Sequence, residues 1–175
     1  MLHTPERSTQ ATGPVRTLRE LHGDDAHLHF VGTDGPPGYR KVVETIVTHA
    51  GMRDHVTFHG SVSQEQLVAH YLSADVFCCL SDHEGFCVPV IEAMHHGLPV
   101  VAFDCAAVGE TVADGGLLLT DKNPLVVASA LHRISTDLDL VQRLRDAGRQ
   151  RANAFDRKII QERFSRHISA LLESS

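Results

Sequence analysis

The chain has 175 residues, of which 42% are hydrophobic and 22% charged, a composition typical of one globular domain. Its 16 Lys and Arg stand against 22 Asp and Glu, and this net charge of -6 leaves no basic footprint for nucleic acid. No apolar run reaches the roughly 18 residues of a membrane-spanning helix, and the first residues lack the apolar core of a signal peptide. We therefore expect a cytoplasmic protein with no transmembrane segment and no nucleic-acid partner.

Short apolar strands alternate with segments of helical periodicity along most of the sequence. Ser63 with Gln66 three residues later is typical of a capping box at the start of a helix. Strands are predicted at residues 27–32, 56–60, 75–81, 99–104 and 116–120. Helices are predicted at residues 15–22, 39–50, 63–74, 88–96, 107–113, 124–136, 138–154 and 157–173.

This alternation predicts an α/β fold, a Rossmann-like doubly wound parallel sheet with helices on both faces and further helices at the C-terminal end. Residues 1–14 are polar and lack a clear period, so we expect a poorly ordered tail there. The domain is then expected to occupy residues 15–175.

The four cysteines and 13 histidines do not follow the spacing of a metal site. Cys78 and Cys79 are adjacent inside an apolar run, so they should point to opposite faces of a strand. His95 and His96 are also adjacent and cannot both reach one ion from a regular helix. We interpret the cysteines as reduced core residues and expect no bound metal.

The loop that follows the third predicted strand contains the strongest candidates for ligand-binding residues. In doubly wound sheets ligands bind beyond the carboxyl ends of the strands, and here Glu84 and Gly85 precede a helix that contains Glu92. A helix N-terminus suits a phosphate, Gly85 allows close approach of the backbone, and carboxylates accept hydrogen bonds from paired hydroxyls. The pattern favours a site for two polyols joined by phosphate, although either carboxylate alone would also suit helix capping or the helix dipole.

Glu84 and Glu92 are separated by seven residues in the frame EGFxVPxxEAM. This frame resembles the EX7E motif of retaining GT-B glycosyltransferases of the family 4 type (glycosyl transferases group 1). The resemblance extends over about residues 15–155 and corresponds to the C-terminal, donor-binding half of such enzymes. Further segments similar to family motifs are VGTDGP at residues 31–36, VTFHG at 56–60, AMHHGLPVV at 93–101 and, within a GxPE-like segment, Glu110.

The resemblance implies transfer of a sugar from a nucleoside diphosphate sugar to an acceptor, with the anomeric configuration retained. It implies that Glu84 is the catalytic residue and binds hydroxyls of the donor sugar, while Glu92 binds the ribose. The other implied donor-binding residues are Gly85, Phe86 and Cys87 at the sugar and phosphate, Val88 at the pyrophosphate, and Gly32, Gly35, Gly60, Ser61 and Val62 beside the base. No cofactor or metal is implied, because cationic groups and the helix dipole replace a divalent ion in this family.

The sequence departs from the family where the first strand and a basic pair are expected. If this sequence is nevertheless aligned with the family pattern, a forced match, Arg7 falls at the position of the family Arg and Thr12 at that of the family Lys. The first strand would then have to lie at residues 1–4. The sheet is therefore expected to lack its first, central strand. Three hypotheses remain: the tail forms a degenerate strand, the neighbouring strands close up, or a dimer or partner chain covers the exposed sheet.

The acceptor-binding N-terminal half of the family is missing from this chain, so the isolated chain is expected to be inactive. A second interpretation is a non-catalytic sugar-nucleotide-binding module, or a pseudoenzyme fragment that works with a partner chain. A third, some other Rossmann-type nucleotide enzyme, is disfavoured because no GxGxxG follows a first strand.

Overall fold

The computed structural model describes residues 5–23, 25–33 and 35–173. The strands are β1 (Leu28–Val31), β2 (Val56–Gly60), β3 (Phe77–Cys79), β4 (Val100–Phe103) and β5 (Leu117–Leu119). The α-helices are α1 (Pro5–His22), α2 (Tyr39–His49), α3 (Gln64–Ser73), α4 (Val88–His95), α5 (Val108–Val112), α6 (Pro124–Thr136), α7 (Leu138–Asn153) and α8 (Arg157–Glu173). Every predicted strand and helix is present, and apart from the start of α1 their ends shift by only a few residues.

The strands form two parallel groups, β1–β2 and β3–β4–β5. Leu28 lies opposite Val56 in the first group, and Val101 lies between Cys78 and Leu117 in the second. Over the described residues no backbone ladder joins β1 to β3, so these two strands do not close up. The interruption falls where the sequence predicts that the central strand is missing.

Helices cover both faces of the three-stranded group. Val101 packs in a core cluster with residues of α1, α2 and α6, whereas Val100 and Ala102 pack in a second cluster with α3, α4 and α5. Cys78 and Cys79 likewise belong to opposite clusters. The doubly wound α/β arrangement and the opposite orientation of the two cysteines are confirmed.

The first helix is longer than predicted. It begins at Pro5 rather than at residue 15, so the part of the expected tail that the structure describes is helical. A short apolar stripe at helical spacing is buried in the core against α6 and consists of Ala11, Val15 and Leu18. Polar residues flank this stripe, so it is not evident in the sequence. Residues 1–4, where the forced match puts a strand, lie outside the described residues.

Helix α3 begins as predicted. The Ser63 side chain accepts a hydrogen bond from the Gln66 N–H at 3.3 Å, and the Gln66 side chain accepts one from the Ser63 N–H at 2.9 Å.

Helix α8 contrasts with the others, because residues 157–172 are all exposed. In the described part of the chain, no helix combines the length and apolar content needed to cross a membrane.

Candidate functional site

The loops after β1 and β2 meet at the carboxyl edge of their strands. The Gly32 N–H donates a hydrogen bond to the Gly60 carbonyl oxygen over 2.9 Å. Gly35 and Ser61 are exposed in these loops, and Val62 is half-buried. The backbone of Gly60 has φ of 66°, a left-handed conformation that glycine adopts without steric penalty. The structure thus brings these predicted base-flanking residues together.

A second set of contacts holds the loop after β3. The Cys105 thiol donates to the Ser81 carbonyl oxygen at 3.1 Å, and the Ser81 hydroxyl donates to the His83 carbonyl oxygen at 3.1 Å. The Lys122 ammonium pairs with the Asp82 carboxylate. The segments after β4 and β5 therefore fix the loop that carries Glu84.

The residues between β3 and α4 differ in exposure. Glu84 is half-buried, whereas Gly85, Phe86 and Val88 are exposed. Cys87 is buried and forms the N-cap of α4 with φ of 56°. A left-handed conformation costs a residue other than glycine roughly 1–2 kcal/mol, so the surrounding structure holds this turn in place. The first N–H groups of α4 then lie beside the exposed turn, which suits an anionic ligand.

Glu92 lies on α4 and is oriented by Tyr71 of α3. The Tyr71 hydroxyl donates a hydrogen bond to Glu92 Oε2 at 2.9 Å, and the Tyr71 ring stacks on His96 with ring centroids 5.6 Å apart. Burial raises the pKa of Tyr71, and the hydrogen bond to Glu92 raises it further, so the phenol remains a donor. The carboxylate predicted to bind ribose is thus fixed from the neighbouring helix.

Glu84 lies beside two thiols. One ligand atom from each of Cys79, Glu84 and Cys87 lies within 4.8 Å of the others. The two sulfur atoms are 3.7 Å apart. This arrangement was not predicted from the sequence, in which the cysteines do not follow a zinc-site spacing.

Tyr71, Cys79 and Lys122 are among the side chains at the site that were not predicted as site residues. A signal exists for Lys122, because it follows the last strand and must lie at the same edge as the other loops. Tyr71 and Cys79 reach the site through packing between elements, which the sequence does not specify. Arg7 and Thr12 are the two residues aligned with the Arg and Lys positions of the family. Thr12 is buried in α1, and the side chain of Arg7 lies outside the described part of the chain.

Comparison with known proteins supports the resemblance. The sequence model of the family described as "Glycosyl transferases group 1" matches residues 13–151. The chain is 35% identical over 131 residues to the MMP alpha-(1->4)-mannosyltransferase of Mycolicibacterium hassiacum, covering 73% of this chain and 31% of that protein. It is 34% identical over 136 residues to a GDP-mannose-dependent alpha-(1-6)-phosphatidylinositol monomannoside mannosyltransferase of Mycobacterium tuberculosis, covering 73% of this chain and 34% of that protein.

Solved structures show the same fold. The sucrose-phosphate synthase of Thermosynechococcus elongatus superposes with a TM-score of 0.75 at 27% identity, over 99% of this chain and 46% of that one. The Anabaena protein Alr3699/HepE in complex with UDP superposes with a TM-score of 0.78 at 21% identity, over 97% and 48%. The chain thus spans about a third of its curated relatives and about half of these structures. Its fold is that of a GT-B glycosyltransferase domain, and the chain belongs to the glycosyl transferases group 1 family.

Proposed function

We propose that this chain is the donor-binding domain of a retaining glycosyltransferase that acts in the cytoplasm on a nucleoside diphosphate sugar. One observation carries the proposal: Glu84 and Glu92 flank the N-terminus of α4, beyond the carboxyl end of β3. Two carboxylates on either side of a phosphate-binding helix end match a ligand with hydroxyls on both sides of a diphosphate.

Each part of the ligand has a proposed place. Glu84 binds the donor sugar as the catalytic residue, and the turn of Gly85, Phe86, Cys87 and Val88 binds the diphosphate. Glu92 binds the ribose in the orientation set by Tyr71. Lys122 adds a positive charge at this edge, where it pairs with Asp82. No metal or cofactor takes part in this scheme, because backbone N–H groups, the helix dipole and this cation supply the positive potential.

We further propose that an acceptor-binding half, in the same protein or on a partner chain, completes the enzyme. The exposed face of α8 supports this. Ile160, Phe164, Ile168 and Leu172 recur every four residues along it and are 46%, 66%, 41% and 74% exposed. A second copy of this chain is the alternative occupant, and light scattering of the purified chain separates a monomer from a dimer.

A second candidate function is a non-catalytic sugar-nucleotide-binding module. The burial of Thr12 at the position of the family lysine favours it, since that basic residue assists the leaving diphosphate. Sugar transfer in the presence of an acceptor-binding half distinguishes the two functions, because only the enzyme turns over.

The proposal is tested by thermal shift with UDP, GDP and ADP sugars, including GDP-mannose, followed by calorimetry of the best donor. We expect weak binding, because the forced match leaves Thr12 where the family has Lys.

Glu92→Ala should weaken donor binding about tenfold or more, because a hydrogen bond to a charged group contributes about 1.5–3 kcal/mol. Glu20→Ala, an exposed change on α1, is the matched control. Equal affinity of the two variants would contradict the ribose role of Glu92, and nanomolar binding by the chain alone would contradict the weak-binding expectation.

A further inference from the structure

The cluster of Cys79, Glu84 and Cys87 is built from two buried thiols and one half-buried carboxylate. Cys79 lies on β3, and Cys87 is held in its left-handed turn at the start of α4. Glu84 lies on the loop between them. The three side chains therefore come from a strand, a loop and a helix start whose backbone positions are fixed by packing.

The sulfur separation is the one that a tetrahedral thiolate site requires. Two sulfurs that each lie about 2.3 Å from a zinc ion are about 3.8 Å apart at the tetrahedral angle. Cys79 Sγ and Cys87 Sγ are already 3.7 Å apart, and a Glu84 carboxylate oxygen lies within 4.8 Å of both. We propose that this cluster binds a thiophilic divalent cation, Zn²⁺ in particular, with a water molecule as the fourth ligand.

Binding changes the protonation of the cluster. The cation replaces the protons of both thiols, which pass to the solvent, and the two thiolates neutralise its double charge. The ionised Glu84 then leaves one net negative charge, which the positive end of α4 offsets in part. Cys87 is favoured as a thiolate ligand because it stands at the positive end of α4. Cys78 cannot join the cluster, because its side chain faces the opposite core cluster.

The consequence for the donor rests on the proposed function. Coordination of a cation occupies one acceptor position of the Glu84 carboxylate, fixes its orientation and withdraws its negative charge, so Glu84 becomes a poorer acceptor for sugar hydroxyls. Zn²⁺ and the nucleotide sugar should therefore oppose each other's binding, and the cation acts as an inhibitor rather than as a cofactor.

The binding itself is tested by titrating the reduced full chain with Co²⁺, because thiolate ligands give a strong near-ultraviolet charge-transfer band that imidazole and carboxylate ligands do not. We expect the band to saturate at one equivalent and to disappear when Zn²⁺ displaces Co²⁺. Cys79→Ala and Cys87→Gly should each abolish the saturable band, and glycine suits the backbone of the second position. Glu84→Gln should keep the band but weaken binding at least tenfold.

Cys78→Ala is the matched control, because Cys78 faces the opposite core cluster, and it should titrate as the unchanged chain does. Thermal unfolding of every variant shows whether it is folded. The absence of a band in the unchanged chain, or a band that survives in folded Cys79→Ala and Cys87→Gly, would overturn the site. Adventitious binding by the neighbouring rings of His29, His59 and His70 is distinguished because imidazole ligands give no such band and because His59→Gln would remove this binding.

The opposition between Zn²⁺ and the donor is tested separately. Chain loaded with Zn²⁺ should show at least a tenfold loss of nucleotide-sugar affinity, which a chelator restores. Cys79→Ala at the same Zn²⁺ concentration controls for cation bound by the nucleotide in solution, and its affinity should not depend on Zn²⁺. A Co²⁺ band together with unchanged donor affinity would overturn this opposition but leave the metal site. Failure of any nucleotide sugar to bind metal-free chain would instead contradict the proposed function.

Discussion

The two strand groups differ in how their faces are covered. In the three-stranded group, Val100, Val101 and Ala102 are fully buried, so helices seal β4 on both sides. In the two-stranded group Phe30 packs inward, while exposed His29 and half-buried His59 lie on the other face. The loop with Glu84 thus follows a strand of the better-packed group, and a fixed support is what the catalytic role proposed for this carboxylate requires.

The two groups nevertheless share one core. Phe30 of β1 belongs to the same buried cluster as Leu80, Val101 and Leu119, although no ladder joins β1 to β3 in the described residues. Side chains from α1, α2 and α6 complete this cluster. Helices therefore join two strand groups that no backbone ladder joins in the described residues, so a single cooperative unfolding transition is expected.

The largest effect is expected from removing core volume in the three-stranded group. Met94 on α4 is fully buried, and its side chain packs beside Gly115 and Gly148. Met94→Ala should lower the free energy of unfolding by about 2–5 kcal/mol, because a cavity remains where the side chain was. Chemical denaturation followed by circular dichroism measures this change.

Met52→Ala is the matched substitution beside the two-stranded group, where Met52 is 3% exposed. If the groups unfold as one unit, both variants should shift the same single transition. Two separated transitions, of which Met52→Ala moves only one, would show that the shared core does not couple the groups.

The next effect is expected at the hydrogen bond between α3 and α4. Tyr71→Phe leaves the ring in place but removes the donor to Glu92 Oε2, so stability should fall by about 1–2 kcal/mol. Donor affinity should fall several-fold, because Glu92 loses its fixed orientation. Unchanged affinity together with reduced stability would limit Tyr71 to a structural role.

Most of the fold is predictable from the sequence because its signals are local. The apolar runs at residues 75–81 and 99–104 predict β3 and β4, and the capping box at Ser63 predicts the start of α3. The N-terminal extension of α1 is different. Ala11 and Thr12 are buried on α1, which packs mainly against α6, and nothing within that polar segment indicates this contact.

The candidate site is predictable in part for the same reason. Glu84, Gly85 and Glu92 stand in a continuous motif, so their common location at the start of α4 follows from one strand, one loop and one helix. The approach of Cys79 to Cys87 depends on the left-handed turn at Cys87, a conformation that a residue other than glycine rarely adopts. The donor from Tyr71 to Glu92 depends on how α3 packs on α4.

Helix α3 connects the two strand groups, and its N-cap provides a smaller test. Ser63→Ala removes the acceptor for the Gln66 N–H, so stability should fall by about 1 kcal/mol. Ser73→Ala is the control at the opposite end of the helix, where the hydroxyl donates only to the His70 carbonyl oxygen. Equal losses in the two variants would show that the capping box does not stabilise this connection.

The smallest effect on stability is expected from a change of pH. It concerns the face of the two-stranded group that bears His29 and His59, called here the histidine face. Burial lowers the pKa of His29 and of His59, and neighbouring His27 and His70 lower both further. Below the ordinary histidine pKa of 6.5, the unfolded chain therefore binds protons that the folded chain does not. Stability contributed by the neutral rings is present above pH 6.5 and is lost as the pH falls through the lowered values.

His59→Gln isolates this contribution from the acidic groups that titrate at lower pH. The variant keeps a hydrogen-bonding side chain beside His29 Nδ1, which lies 2.9 Å from His59 Nε2, but it cannot take up a proton. Its melting temperature should fall less between pH 7.5 and pH 5.5 than that of the unchanged chain, whereas His167→Gln on exposed α8 should not change the fall. The same fall in both variants would place the acid sensitivity outside the histidine face, and the contrast between the two strand groups would then lie in packing alone.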